Sequence, residues 1–328
     1  MNLLSESTRS ALNALDWGEP CFVIGHKSPD TDAVCSAIAY SRLMQELGHP
    51  CQAALCGPVN RETRFIAQFW HLPVPEILTS VEPGNRLILV DHSEYEQSVD
   101  GASQATVLQV IDHHGTGNIC EPGQVYVRIM PLGATCTIVY LAYCELGVPV
   151  SGETARFLLA GLLSDTRNLQ KKTTTATDRS VWEALTRQLG YSAAEVDFVY
   201  RRMSEAGKDM TGMTDKEIYL SYFKEYHIGQ VRLGISSLDA SATLAKASFI
   251  DRILAVMPDI LAETGDAMLL ANVLTEEGSY ILYCGEGAET LVEQAFGPSL
   301  RKGVCHVPER LSRKTQIVPR LTEILKQK

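Results

Sequence analysis

The first two-thirds of the chain alternates short apolar runs with longer segments of helical spacing, and this alternation limits the choice of folds most strongly. The apolar runs that predict strands cover residues 21–25, 51–55, 87–90, 107–111 and 125–130. The segments that predict helices cover residues 33–47, 61–70, 135–146, 152–164 and 178–189. Strands that alternate with helices predict β–α–β units and a parallel sheet that is covered on both faces.

A different pattern follows a polar, glycine-bracketed stretch at residues 206–212, which predicts a linker. Beyond it, residues 231–236, 268–274 and 280–284 predict strands, and residues 248–262 and 290–296 predict helices. These elements predict a smaller α/β domain with a mixed sheet. The predicted fold class is therefore α/β, with an N-terminal parallel-sheet domain over residues 1–205 and a C-terminal mixed-sheet domain over residues 213–328.

The charge balance narrows the choice of partners. The 328 residues include 39 acidic and 29 basic side chains, and the formal net charge is −10. This balance disfavours nucleic acid and membrane surfaces as partners, but bound metal ions could still reverse the charge locally and admit an anionic substrate. The nine cysteines form no CxxC pair, and the first residues lack the apolar core of a signal peptide, so the sequence predicts a cytoplasmic protein.

Four short motifs of histidine and aspartate follow predicted strands or end a predicted helix. They are His26-Lys-Ser-Pro-Asp30-Thr-Asp32, Asp91-His92-Ser-Glu94, Asp112-His113-His114-Gly115 and Ser164-Asp165-Thr166. Since loops at the carboxyl ends of parallel strands line one crevice, we expect these side chains to converge there. Taken alone, each has an ordinary explanation; Asp32, for example, is placed to cap the helix predicted over residues 33–47.

Together, the four motifs predict a metal centre. Crowded carboxylates repel one another and raise each other's pKa unless a cation lies between them. Carboxylate oxygens with some imidazole suit Mn²⁺, Co²⁺ or Mg²⁺, whereas closed zinc sites favour thiolates or several histidines. Four carboxylates and two or three histidines exceed the needs of one ion, so we expect two ions that activate a water for attack at phosphorus.

The triplet Asp112-His113-His114 is the signature of the DHH phosphoesterase superfamily. With Ser312-Arg313-Lys314-Thr315-Gln316 near the end, the full set resembles family II inorganic pyrophosphatases, whose second domain is of the DHHA2 type. The resemblance implies hydrolysis of pyrophosphate, two Mn²⁺ or Co²⁺ ions per subunit and additional Mg²⁺ alongside the substrate. It also implies closure of the second domain over the first, and a homodimer formed through the first domains.

The same resemblance implies a role for each matching residue. One metal would be held by His26, Asp30 and Asp91. The other would be held by Asp32, Asp91, His113 and Asp165, with Asp91 bridging the two ions. His114 would contact the substrate and help to protonate or stabilise the leaving phosphate, and the phosphates would be bound by Lys224, Arg313 and Lys314. Without the resemblance, Lys224 would count as an ordinary lysine on a helix surface.

The chain departs from the family pattern at several positions near these motifs. Serine replaces the usual Asn at Ser28 and Ser93, Gly115 replaces a basic residue, Lys171-Lys172-Thr173 replaces Ser-Pro-Thr, and Thr315 replaces a lysine. None of these changes removes a predicted metal ligand, although changes around ligands can cost about 10–100-fold in metal affinity. A short-chain exopolyphosphatase and a non-catalytic phosphate or nucleotide sensor remain as alternatives. The complete ligand set favours an enzyme over the sensor.

Overall fold

The structure, a computed structural model, describes residues 3–119, 123–241 and 246–326. It divides into two compact units, Met1–Asp209 and Met210–Lys328. This division falls within the predicted linker at residues 206–212. A helix continues through Lys208, however, so the first residues of that stretch are helical. No helix over the described ranges is long and apolar enough to cross a membrane.

The first unit contains the predicted parallel sheet. Its strands are β1 (Cys21–Ile24), β2 (Gln52–Ala54), β3 (Arg86–Val90), β4 (Thr106–Asp112) and β5 (Tyr126–Ile129). They lie in the order β2-β1-β3-β4-β5, and every neighbouring pair is parallel. The chain therefore passes from β1 to β2 on one side of it, and then crosses to β3 on the other side. Such a switch point opens a crevice at the carboxyl ends of the strands, where ligands bind in open α/β sheets.

Both faces of this sheet are buried, and the α-helices of this unit's described ranges pack on one of them. The helices of the unit are α1 (Leu3–Asn13), α2 (Thr31–Glu46), α3 (Arg61–Phe69), α4 (Thr135–Leu146), α5 (Gly152–Thr166), α6 (Ala176–Leu189) and α7 (Ala193–Lys208). Ile88 packs into the helical core, whereas its neighbours Leu87 and Leu89 pack against Val99 and Ala102 on the opposite face. Each such buried side chain stabilises the fold by about 1.5–3 kcal/mol relative to exposure. The alternation thus fixes the register of β3.

The second unit contains the predicted mixed sheet. Its strands are β6 (Lys224–Ile228), β7 (Val231–Asp239), β8 (Met268–Thr275), β9 (Gly278–Gly285), β10 (Ser299–Arg301) and β11 (Val304–Val307). In the order β10-β11-β9-β8-β7-β6, the pair β7 and β8 is parallel and the other pairs are antiparallel. The helices are α8 (Asp215–Leu220), α9 (Lys246–Thr264), α10 (Ala288–Phe296) and α11 (Val318–Leu325). Helices α8 and α9 pack on one face of the sheet, and α10 and α11 pack on the other.

Candidate metal centre

The loops that follow β1, β3 and β4 bring the predicted ligands of the first unit together with the end of α5. His26 follows β1, Asp91 directly follows β3, and His113 directly follows β4. The Nε2 atom of His26 lies 3.5 Å from Oδ2 of Asp91, and Nε2 of His113 lies 3.4 Å from Oδ1 of the same carboxylate. Asp165, from α5, places its Oδ2 3.2 Å from Nε2 of His113. The convergence expected from the sequence is therefore present.

Within the described ranges, three groups of side chains each place their potential ligand atoms within 4.8 Å of one another. The groups are His26 with Asp30 and Asp91, Asp32 with His113 and Asp165, and Asp91 with His113 and His114. All six residues predicted to hold metal ions fall in the first two groups. Asp91 is near the ligand atoms of both, because it lies between His26 and His113.

Asp91 has an unusual backbone conformation, with φ at +63°. Non-glycine residues seldom adopt this left-handed region, although aspartate and asparagine tolerate it better than most. The conformation is held by the Asp91 N–H, which donates to the carbonyl of Ile111 at 3.0 Å. The hydroxyl of Thr135 donates to Oδ1 of Asp91 at 2.9 Å. The carboxylate is therefore fixed, and strain of this kind persists where the surroundings define the position tightly, as in binding sites.

The prediction that Asp32 caps α2 is wrong. Asp30 is the N-cap, and its Oδ1 accepts a hydrogen bond from the N–H of Ala33 at 3.0 Å. Asp32 instead lies fully buried in the first turn of α2, and its two oxygens accept from the N–H groups of Thr135 and Cys136 at 2.6 and 3.0 Å. These donors belong to the first turn of α4, where N–H groups have no partner within their own helix.

The carboxylate of Asp32 is in an environment that favours a nearby cation. Burial raises its pKa well above the ordinary value, and the neighbouring carboxylates of Asp91 and Asp165 raise it further. A divalent ion between these groups would remove both the repulsion and the cost of burying their charge.

His26 and His113 each direct their Nε2 atom into this carboxylate cluster. Nδ1 of His113 lies 2.9 Å from the carbonyl of Leu132, and Nδ1 of His26 lies 2.7 Å from the carbonyl of Lys27. Because a carbonyl only accepts, each Nδ1 carries the proton, and Nε2 is left as the ligand atom. Nε2 of His113 is buried and makes no hydrogen bond. Burial alone would lower the pKa of His113, but the carboxylates of Asp165 and Asp91 raise it to about 10.

His114 is held differently from His113. Asp112 is buried, and its Oδ1 accepts from both the backbone N–H and Nδ1 of His114, at 2.9 and 2.8 Å. These bonds fix the ring and set the proton on Nδ1, while the side chain stays about 23% exposed. Asp112, the first residue of the signature triplet, therefore positions His114 and lies outside the three candidate ligand groups.

The residues present fit divalent metal ions. They combine four carboxylates with imidazole nitrogens, one of which is buried without a hydrogen bond, and they include no cysteine. This donor set matches Mn²⁺ and similar ions better than a closed zinc site.

Several residues that support the ligands carried no recognisable sequence signal. Thr135 contacts both Asp32 and Asp91, as described above. Glu62 in α3 accepts hydrogen bonds from Thr31 and Ser164, each adjacent in sequence to a candidate ligand, at 3.3 and 2.9 Å. Gly161 allows α5 to approach α2, because a Cβ there would lie 2.6 Å from Oδ1 of Asp32. These contacts join segments that are distant in sequence, so no local motif reveals them.

The three basic residues predicted to bind phosphate in the second unit, and Arg310 close to two of them in sequence, have different surroundings. Lys224 is the first residue of β6 and not part of a helix, and Lys314 is exposed. Arg313 donates to the carbonyls of Ile235, at 3.0 Å, and Tyr222. Arg310 donates to the carbonyl of Thr275 at 2.6 Å and to the hydroxyl of Ser241 at 2.7 Å, and it pairs with Asp239. The guanidinium of Arg310 thus stabilises its own unit.

Comparison with known domains defines the class of protein. Residues 20–162 match the DHH family, N-terminal domain, and residues 201–324 match the DHHA2 domain. The first match contains most of the candidate metal ligands, and the second contains the basic residues of the other unit. The fold and the site therefore define a DHH-family protein with a DHHA2 second domain.

Comparison with whole proteins narrows this class. A relative from Clostridium acetobutylicum, named a probable manganese-dependent inorganic pyrophosphatase, is 33% identical over 311 residues, which cover 94% of this chain and 98% of the relative. A relative of the same name from Exiguobacterium sp. is 34% identical over 307 residues, which cover 92% of this chain and 97% of the relative. A crystal structure from Methanococcus jannaschii, assigned to family II inorganic pyrophosphatases, superposes with a TM-score of 0.82 at 26% identity and covers 93% of this chain and 99% of its own. The chain belongs to the family of manganese-dependent, or family II, inorganic pyrophosphatases.

Proposed function

We propose that the protein is a manganese-dependent enzyme that hydrolyses inorganic pyrophosphate to two phosphates. The observation that carries this proposal is the position of Asp91 between two ligand groups, where one carboxylate faces imidazoles from both. An arrangement with a shared carboxylate suits two neighbouring divalent ions. Family membership supports the choice of pyrophosphate as the substrate.

The proposed metal sites follow the two ligand groups. His26, Asp30 and Asp91 would hold one ion, and Asp32, Asp91, His113 and Asp165 would hold the other. When bound, such ions lower the pKa of a water so that it attacks phosphorus, and they neutralise phosphate charge. We propose Mn²⁺ as the metal, with Co²⁺ as a substitute and Mg²⁺ bound alongside the substrate.

The chain's own residues would orient the substrate and supply a proton. His114 is the candidate proton donor, because Asp112 accepts from its Nδ1–H and the doubly protonated ring then carries a second N–H, on Nε2, for the leaving phosphate. Transfer from a positioned acid of this kind contributes about 10²–10⁴-fold to a rate. Lys224, Arg313 and Lys314 are proposed to bind the phosphates, since arginine and lysine match phosphate oxygens in charge and geometry.

Phosphate release from three substrates tests the proposed function. The metal-stripped protein is supplied with Mn²⁺, Co²⁺, Mg²⁺ or Zn²⁺ and then assayed with pyrophosphate, tripolyphosphate and a nucleotide monophosphate. We expect the highest kcat/KM for pyrophosphate with Mn²⁺ or Co²⁺. Faster release from tripolyphosphate would instead indicate a short-chain exopolyphosphatase, and binding of phosphate without turnover would indicate a sensor.

The assembly and location of the protein are also part of this proposal. We propose a homodimer formed through the first units, on the basis of family resemblance. Sedimentation equilibrium should then give twice the chain mass of 36.0 kDa; a single chain mass at micromolar concentration would contradict the dimer. We also propose a cytoplasmic enzyme with no nucleic-acid or membrane partner, consistent with nine cysteines in no disulfide-like pattern and a net charge of −10.

A further inference from the structure

A lysine outside the recognised motifs lies beside the metal-ligand cluster. Nζ of Lys171 is 3.6 Å from Oδ2 of Asp165, the carboxylate that also contacts His113. About 40% of the Lys171 side chain is exposed, whereas 18% of the Asp165 side chain is exposed. The ammonium group therefore lies where the buried ligand cluster meets solvent.

The backbone that carries Lys171 is tightly constrained. Three consecutive non-glycine residues after α5, Arg167, Asn168 and Leu169, have φ angles of +51°, +50° and +66°. L-residues adopt this left-handed conformation at a cost, and a run of three persists only where the surrounding structure imposes it. The strained turn thus reverses the chain directly after the ligand helix and returns it towards Asp165.

Hydrogen bonds hold this turn against the end of α5. The N–H of Asn168 donates to the carbonyl of Leu163 at 2.9 Å, and the N–H of Leu169 donates to Oγ1 of Thr166 at 3.0 Å. The N–H of Lys171 donates to the carbonyl of Thr166 at 2.8 Å. The backbone of Lys171 is therefore fixed within a few residues of Asp165, while its side chain keeps contact with solvent.

When metal ions occupy the centre, the ammonium group of Lys171 would no longer be paired with the charge of Asp165 and could bind another anion. A divalent ion held by Asp165 would neutralise the charge of that carboxylate and would repel the ammonium group. A lysine at the mouth of a cationic site is then suited to an entering anion, and ammonium groups bind phosphate oxygens as point charges.

We propose that Lys171 binds phosphoryl oxygens of the substrate from the first unit, and thereby strengthens the binding of condensed phosphates. This inference rests on the proposed pyrophosphate hydrolysis. It adds a substrate-binding cation to the set that family resemblance implies, and it makes Lys171 a determinant of affinity for the substrate.

The test compares K171Q with K172Q, which removes the same charge from the adjacent exposed residue. Calorimetry measures two affinities for each variant: Mn²⁺ for the metal-free protein, and imidodiphosphate for the Mn²⁺-loaded protein. We expect K171Q to bind imidodiphosphate roughly tenfold more weakly, as for the loss of one charged hydrogen bond. Its Mn²⁺ affinity should be equal to or higher than that of the wild type, because a competing cation is gone. K172Q should match the wild type in both, and K171R should retain most of the anion affinity.

Two outcomes would overturn the role of Lys171. Equal imidodiphosphate affinities for K171Q and K172Q would show that Lys171 does not contact the anion. A parallel loss of Mn²⁺ affinity in K171Q would show that the lysine only holds Asp165 in place. Pyrophosphate turnover by the wild type is measured separately, so that failure of the proposed hydrolysis is distinguished from failure of this inference.

Discussion

Replacing Asp91 with asparagine should weaken both metal sites at once. Asparagine keeps the shape of the side chain and tolerates the φ of +63°, so the backbone should not change. It removes one negative charge from a site that is 2% exposed and in contact with His26 and His113. A unit charge at about 4 Å contributes about 4 kcal/mol per opposite charge at the effective dielectric of proteins. Since each Mn²⁺ ion carries two positive charges, we expect it to bind at least about a thousandfold more weakly, and pyrophosphate turnover to be lost.

Equilibrium dialysis against Mn²⁺, followed by a phosphate-release assay on the same samples, measures both effects. Asp16→Asn is the matched control, because it removes the same charge from an exposed carboxylate that pairs with Arg86. The control should bind Mn²⁺ and release phosphate as the wild type does. If Asp91→Asn bound two Mn²⁺ ions with unchanged affinity, or retained near-wild-type turnover, the bridging role of Asp91 would be refuted.

Four further predictions follow from individual contacts. His114→Gln should lower kcat by about 10²–10⁴-fold with Mn²⁺ content unchanged; loss of Mn²⁺ on dialysis would make His114 a ligand. Because the pKa of His113 is raised to about 10 in the metal-free protein, Mn²⁺ must displace its proton. Calorimetry in buffers of different ionisation enthalpy should therefore show net release of protons at neutral pH, and affinity should fall as pH is lowered; a buffer-independent enthalpy would contradict this. Thr135→Val should weaken Mn²⁺ binding by about 10–100-fold, with Thr135→Ser close to wild type; equal affinities in both variants would exclude a role for the hydroxyl. Lys314→Ala should raise KM with little effect on kcat, and unchanged kinetics would remove Lys314 from the substrate site.

Much of the fold could be predicted because buried parallel strands are nearly continuous apolar runs. Strands β3 and β4 and helix α4 lie close to their predicted positions for this reason. Helix α7 was not predicted, although the capping box of Ser192 and Glu195 marks its start in the sequence. Strand β6, which begins at Lys224, contains charged and polar residues and is defined by its pairing with β7. Such pairing is a tertiary property that the local pattern does not contain.

The sequence predicts those parts of the candidate site whose ligands directly follow strands. The switch point between β1 and β3 requires the loops that carry His26 and Asp91 to meet. The role of Asp32 could not be read in this way, because its hydrogen-bond donors lie about a hundred residues away, at the start of α4. The local sequence pattern favoured Asp32 as the N-cap of α2. Its hydrogen bonds with the N–H groups of α4 instead place it in the first turn of the helix.

The central claim is that the centre holds two Mn²⁺ ions and converts pyrophosphate to two phosphates. It is tested most directly by counting Mn²⁺ ions bound per chain and measuring phosphate release on the same samples across a metal titration. The account predicts that activity reaches its maximum at two bound Mn²⁺ ions per chain, with two phosphates released for each pyrophosphate consumed. Full activity at a single bound ion, or no phosphate release at two, would contradict it.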